Sequence, residues 1–293
     1  MGLPAILLGL IGDNIAASRS PLLHRLAGRM CGLDVRYDLL VPRALKLDFD
    51  ATFDRARDDG YRGLNITYPY KENVLARVSI DEPLIRAIAA CNTLVFEHGN
   101  AVGTNTDYSG FLGAYRANFG PASPGCVAMA GCGGVGKAIG FALAGLGANA
   151  LHLFDTDRSK SDQLRQALAG AYRAVDVEVA DSIEQTCEGA DGLVNCTPSG
   201  MIGIGGNAFP EAIIGRSSWA FDAVYTPMDT PFLLASRAAG LSIMSGYELL
   251  LYQGVECFRI FTGREVDAGE LRRALAEADP GSVEIVRSSS TPR

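Results

Sequence analysis

The chain has 293 residues, 48 % of them hydrophobic and 20 % charged, and 33 acidic against 26 basic residues leave a formal net charge of −7. That length suits two domains, and the apolar content is enough to offset chain entropy, which excludes wholesale disorder. No charge-free apolar run reaches the roughly 18 residues that cross a bilayer. No Lys/Arg run offers a polyanion a patch, so neither a membrane nor a nucleic acid is expected as partner.

Met1–Gly12 is apolar but lacks a basic region and an A-x-A site, so it reads as a first strand and the protein is placed in the cytoplasm. The seven cysteines include no C-x-x-C pair and read as small buried hydrophobes in a reducing compartment. His24, His98 and His152 are far apart in sequence, and no metal is expected.

Strand and helix patterns alternate along the chain. Ala5–Gly12 is a predicted strand, and Pro21 opens a helix that runs to about Gly32, where its missing N–H costs nothing. Val35–Val41 is a second strand, Leu47–Asp59 a helix, Gly63–Thr67 a third strand and Asn92–Phe96 a fourth. Asp107–Phe119 is a helix expected to cross between domains, and Ala122–Gly125 a linker. Then follow strand Cys126–Gly131, helix Gly133–Leu146 and strands Leu151–Asp155, Val175–Val179, Gly192–Cys196 and Ala220–Val224. Tyr247–Phe261 and Ala268–Ala278 are helical. The fold class is α/β with a largely parallel sheet.

Gly131-Cys132-Gly133-Gly134-Val135-Gly136 fits G-x-G-x-x-G between a strand and a helix. The first glycine permits the tight turn, Gly133 admits a pyrophosphate and Gly136 lets helix and strand approach. The helix N-terminus then offers free N–H groups to the phosphates. Asp155 ends the next strand, about 20 residues on, where a carboxylate accepts from the adenosine ribose and repels a 2′-phosphate. That favours NAD. Arg158 could read a 2′-phosphate instead, leaving NADP open.

Asn65 and Thr67 share one face of a strand end, with Lys71 just beyond, and Asp107 stands at the start of a helix. Taken singly, Lys71 reads as a solvated surface lysine and Asp107 as a helix cap. Together with other segments they resemble one family. Ser18-Arg19-Ser20-Pro21-Leu22-Leu23-His24, Asn65-Ile66-Thr67-Tyr68-Pro69-Tyr70-Lys71, Asn92-Thr93 and Asn105-Thr106-Asp107 resemble shikimate dehydrogenase motifs. So do Asn195-Cys196-Thr197-Pro198-Ser199-Gly200-Met201, Val224-Tyr225-Thr226-Pro227, and Gly246 followed by Gln253. The resemblance spans about residues 5 to 278.

The resemblance implies a two-domain dehydrogenase that oxidises the 3-hydroxyl of shikimate, or of quinate in some branches, with a nicotinamide cofactor and no metal. An N-terminal substrate and catalytic domain would take residues 1–110 and be completed by C-terminal helices at 247–278. A Rossmann-type domain would take 111–246, and 279–293 would form a loose tail. Lys71 and Asp107 match the family's catalytic pair. Ser18 and Ser20 match the hydroxyls that hold the substrate carboxylate, and Asn65, Thr67, Asn92 and Gln253 match positions at the ring hydroxyls. Tyr225 matches a tyrosine bordering substrate and nicotinamide. Gly131, Gly133, Gly134, Val135, Gly136, Asp155, Arg158, Thr197, Pro198 and Gly246 fall to the cofactor.

Asp155-Thr156-Asp157 stands where members devoted to aromatic biosynthesis carry Asn-Arg-Thr and use NADP, so the chain looks more like the NAD-using quinate/shikimate branch. Ser20 stands where that branch often has Thr, a departure that bears on quinate. Aminoshikimate enzymes and a non-catalytic ligand-sensing relative share the skeleton. The expected partner is a carboxylated cyclohexene or cyclohexane polyol, taken by a monomer or homodimer.

Overall fold

A computed structural model describes residues 5–278. The expected tail at 279–293 lies outside the described residues. The chain falls into two compact units, one taking the described residues up to Thr106 and from Leu251 onward, the other Asp107–Leu250.

The first unit opens with β1 (Ile6–Ile11), α1 (Ser20–Met30), β2 (Val35–Leu40), α2 (Pro42–Leu45), α3 (Phe49–Asp58) and β3 (Gly63–Ile66). A 3-10 turn at Asn73–Arg77, α4 (Pro83–Ile88), β4 (Thr93–Glu97) and β5 (Asn100–Thr104) complete its sheet. Strand order is β2-β1-β3-β4-β5. β1 pairs parallel with β2 and β3, whereas β3–β4 and β4–β5 are antiparallel. This sheet is therefore mixed, a correction to the largely parallel expectation. The hairpin turns on His98 and Gly99, at φ 50° and 82°. β1, β3 and β5 end at one edge of the sheet, and β4 begins there.

Pro21 does occupy the first turn of α1, whose inner face buries Leu23, His24, Ala27 and Gly28. α3 starts where the Asp48 side chain accepts from the Ala51 N–H at 2.8 Å, satisfying one orphan donor. Phe49, Phe53, Leu64, Ile66, Val74 and Leu94 form the core beneath.

α5 (Thr106–Phe119) leads to the second unit, in which β6 (Cys126–Ala130), α6 (Gly134–Gly145), β7 (Ala150–Phe154), α7 (Arg158–Ala171) and β8 (Asp176–Val179) form one wing. α8 (Ile183–Thr186), β9 (Gly192–Asn195), α9 (Glu211–Ile214), β10 (Trp219–Asp222), α10 (Pro231–Ala238) and β11 (Ser242–Ser245) form the other. α11 (Gly246–Thr262) and α12 (Ala268–Ala278) follow. The sheet order β11-β10-β9-β6-β7-β8 is parallel throughout, the doubly wound Rossmann arrangement. The segment expected as a linker, Ala122–Gly125, is a loop bonded into this unit: the Ser123 hydroxyl donates to the Gly147 carbonyl at 2.6 Å, and the Pro124 carbonyl accepts from Trp219 Nε1 at 3.1 Å.

Candidate active site

The second unit's sheet reverses its winding between β6 and β9, and in such sheets ligands sit beyond the carboxyl ends of the strands at that point. Two loops leave there and touch. Gly131, leaving β6, has φ 94°, and a Cβ on it would lie 2.7 Å from the Cys196 carbonyl carbon beyond β9. Gly136, in the first turn of α6, would place a Cβ 2.0 Å from the Gly131 carbonyl oxygen. The protein's own packing requires both glycines. Gly133 differs: its φ is −76°, and a Cβ there would meet nothing within 4 Å. Neither conformation nor packing calls for glycine at 133. Open space before a helix N-terminus, with Gly134 and Val135 forming the first turn, suits a pyrophosphate, so these residues fit a dinucleotide.

Asp155 lies just past β7. Its Oδ2 accepts from the Cys132 N–H at 2.8 Å and its Oδ1 from the Asp157 N–H at 2.9 Å. One carboxylate thus ties the glycine loop to the turn into α7, and its remaining lone pairs can still accept a ribose hydroxyl. Arg158, the first residue of α7, is paired with Asp181 and lies 3.9 Å from Asp162. Both carboxylates draw its charge away from any phosphate.

Beyond β9 and β10 the support is a residue that sequence reasoning missed. Asp222 is wholly buried, and burial pushes its carboxyl up to about 6. It accepts from Asn195 Nδ2 at 2.9 Å, the Val224 N–H at 3.0 Å and the Thr230 hydroxyl at 2.5 Å. Asn195 Oδ1 in turn accepts from the Thr197 N–H and hydroxyl at 2.9 and 2.6 Å. Thr197 is therefore held rigidly, Pro198 beside it is exposed, and Tyr225, next to Val224, is half-buried. Gly246 opens α11, where a Cβ would sit 2.5 Å from the Ala223 carbonyl oxygen. An acidic residue at the end of the apolar segment Trp219–Asp222 was the available signal.

In the first unit the predicted residues gather at the sheet edge where β1, β3 and β5 end. Ser18 and Ser20 follow β1; the Ser18 Oγ accepts from the Ser20 N–H at 3.3 Å and lies 3.2 Å from Ser20 Oγ. Thr67 follows β3, and its hydroxyl has no hydrogen-bond partner among the described residues. Lys71 is only 8 % exposed, and its carbonyl accepts from the Cys91 N–H at 2.9 Å. Lysine is seldom this buried without a purpose. Asn92 precedes β4, and its Oδ1 accepts from the Thr106 N–H at 2.7 Å, fixing the start of α5. Asp107 is the next residue, 6 % exposed.

Asn65 is more committed to the protein than a ring-hydroxyl ligand need be. Its Oδ1 accepts from the Tyr37 hydroxyl at 2.8 Å and its Nδ2 donates to Thr93 Oγ1 at 3.0 Å. Tyr37 and Cys257 are network members without a site role in the sequence reading, and Thr93 and Thr106 stand there only as members of the quoted motifs. His24 stacks on Tyr37 at 4.7 Å, and burial pushes its imidazole down to about 3, so it is neutral at physiological pH. On α11, Gln253 Oε1 lies 3.4 Å from Thr106 Oγ1. Among the described residues no group of three or more His, Cys, Asp or Glu could hold a metal, and no helix is long and apolar enough to cross a membrane.

Comparisons with known proteins show what the chain is similar to. The family model for the shikimate dehydrogenase substrate binding domain matches residues 10–94. A quinate/shikimate dehydrogenase (NAD(+)) of Corynebacterium efficiens is 35 % identical over 274 residues, covering 92 % of this chain and 96 % of the relative. A shikimate dehydrogenase (NADP(+)) of Streptomyces avermitilis is 37 % identical over 278 residues, covering 92 % and 95 %. The solved quinate dehydrogenase from Corynebacterium glutamicum in complex with NAD superposes with a TM-score of 0.84 at 35 % identity, over 93 % of this chain and 99 % of that one.

Proposed function

The chain belongs to the shikimate dehydrogenase family, and we propose that it catalyses the reversible NAD(P)-dependent oxidation of the 3-hydroxyl of shikimate to 3-dehydroshikimate, with NAD favoured. The observation that carries the reading is the convergence of Ser18, Ser20, Thr67, Lys71 and Asn92 at one sheet edge. Residues up to 110 and from 247 to 278 serve the substrate, and 111–246 the cofactor.

The cofactor supplies the hydride acceptor when bound. The chain's residues do the rest. Ser18 and Ser20 donate to the substrate carboxylate, and Asn65, Thr67, Asn92 and Gln253 meet the ring hydroxyls. Lys71 takes the 3-hydroxyl proton at Nζ and returns it in the reverse direction. Asp107 orients that lysine and accepts from a substrate hydroxyl, while Tyr225 borders the ring. Gly131, Gly133, Gly134, Val135 and Gly136 present backbone to the pyrophosphate. Asp155 accepts from the ribose beside Arg158, and Thr197, Pro198 and Gly246 flank the nicotinamide end.

The seven free cysteines suit a reducing cytoplasm, and the protein acts as monomer or homodimer. The second reading, in which quinate is preferred, is favoured by the NAD-using relatives, and aminoshikimate is the third substrate to compare. A panel of the three substrates, each with NAD and NADP, decides between them. Shikimate is expected to exceed quinate in kcat/KM, because quinate's extra hydroxyl, on the carbon bearing the carboxylate, needs a partner near the serine pair. Ser20→Thr should move the ratio toward quinate; an unchanged ratio would detach position 20 from the choice.

Cofactor preference has its own test. Asp155→Ala removes both the repulsion of a 2′-phosphate and the anchor of the glycine loop. NAD binding should weaken and discrimination against NADP relax, read as the ratio of kcat/KM values. A wild-type enzyme that prefers NADP would overturn the role given to Asp155.

A further inference from the structure

We propose that Cys257 is a positioning residue that holds the carboxamides of Asn65 and Gln253 in the orientation the substrate hydroxyls require; the proposal rests on the substrate reading above. Gln253 and Cys257 lie one turn apart on α11, so they share a face. The Cys257 Sγ is wholly buried, 3.1 Å from Asn65 Nδ2, 3.1 Å from Thr106 Oγ1, 3.2 Å from Thr93 Oγ1 and 3.7 Å from Gln253 Oε1. It links the strand-borne Asn65 and Thr93 to Gln253 on its own helix.

Counting protons gives the thiol its task. Thr106 Oγ1 carries one proton, and four atoms lie within reach of it: Thr93 Oγ1 at 2.9 Å, Asn92 Oδ1 and Cys257 Sγ at 3.1 Å, and Gln253 Oε1 at 3.4 Å. One proton serves one of them at a time. Asn92 Oδ1 already has the Thr106 N–H. Gln253 Oε1 has the Cys257 S–H. The same sulfur accepts from Asn65 Nδ2, whose amide has two protons to place. Cys257 therefore donates to one predicted hydroxyl ligand and accepts from another.

The consequence concerns amide orientation. A carboxamide can rotate by half a turn and exchange its oxygen and NH2 ends at little steric cost. With Oε1 held in the network, Gln253 cannot exchange its ends without giving up those bonds. A flipped amide would offer an acceptor where the substrate oxygen needs a donor, and buried mismatches of that kind are costly. The effect should fall on binding, because Asn65 and Gln253, the groups Cys257 bonds, are assigned to ring hydroxyls and not to the proton that is transferred.

Three variants test this. Cys257→Val removes the hydrogen bonds while filling the site with one methyl more than the thiol, Cys257→Ala removes them and opens a small void, and Cys257→Ser restores a donor and acceptor. Valine and alanine should raise KM for shikimate about 3- to 10-fold, the range of one lost hydrogen bond, while kcat stays within about 2-fold. Serine should return KM to within about 2-fold of wild type. Melting temperatures separate the void in the alanine variant from the lost bonds in valine. A valine variant with wild-type KM, a serine variant as impaired as valine, or a loss carried by kcat would each overturn the proposal. A wild-type protein that oxidises neither shikimate nor quinate would overturn the substrate reading itself and this proposal with it.

Discussion

Lys71→Ala is expected to lower kcat by about 10²- to 10⁴-fold, the usual contribution of a positioned general acid/base. KM for the substrate should change far less, because the proposed carboxylate anchor, Ser18 and Ser20, follows a different strand from Lys71. The lysine's burial makes the assignment specific. At 8 % exposure it is not a solvated charge, and its turn is pinned by the bond from the Cys91 N–H. Lys71→Arg should be nearly as damaging, since a guanidinium retains its proton throughout the working pH range. Steady-state kinetics in both directions provide the check, and a Lys71→Ala enzyme with near-normal turnover would remove this residue from the chemistry.

The second large effect contrasts two glycines three residues apart. Gly133→Ala should leave the melting temperature nearly unchanged, because the new methyl meets nothing within 4 Å and the backbone angle is ordinary. It should nevertheless raise KM for the dinucleotide by at least about 10-fold, since the methyl projects into the space assigned to the pyrophosphate. Gly136→Ala should fail differently. Its Cβ would lie 2.0 Å from the Gly131 carbonyl oxygen, so loop and helix must separate, at a cost of about 1–3 kcal/mol or more in stability. Thermal melts beside cofactor titrations distinguish the two. Tight dinucleotide binding by Gly133→Ala would show that the open space is not the phosphate site.

Local signals served the sequence reading well, and distant ones did not. The glycine loop and Asp155 carry their meaning in spacing along one strand, turn and helix, so both were legible. The β4–β5 hairpin was not, because its turn uses His98 and Gly99 in place of a common turn pair, and a residue other than glycine at φ 50° leaves no mark in composition. Asp222 and Cys257 were missed for a different reason. Each looks like an ordinary member of an apolar segment until folding brings polar atoms to it from elsewhere, Thr230 and Asn195 to one, Asn65 and Thr106 to the other. The reading of Cys257 as a small buried hydrophobe had its burial right and left out its neighbours. The mixed character of the first sheet follows from the same gap, since a strand's direction depends on a partner the sequence does not name.

The pairing of Arg158 with Asp181 shapes how cofactor use could evolve. In the role proposed for it Asp155 repels a 2′-phosphate, and Asp181 occupies the neighbouring cation that could welcome one. Neutralising Asp155 alone leaves Arg158 engaged, and neutralising Asp181 alone leaves the repulsion. The two substitutions are thus epistatic, each muted without the other. A lineage moving toward the phosphorylated dinucleotide must cross an intermediate with little to recommend it, and selectivity held by two anions is sturdier against drift than selectivity held by one.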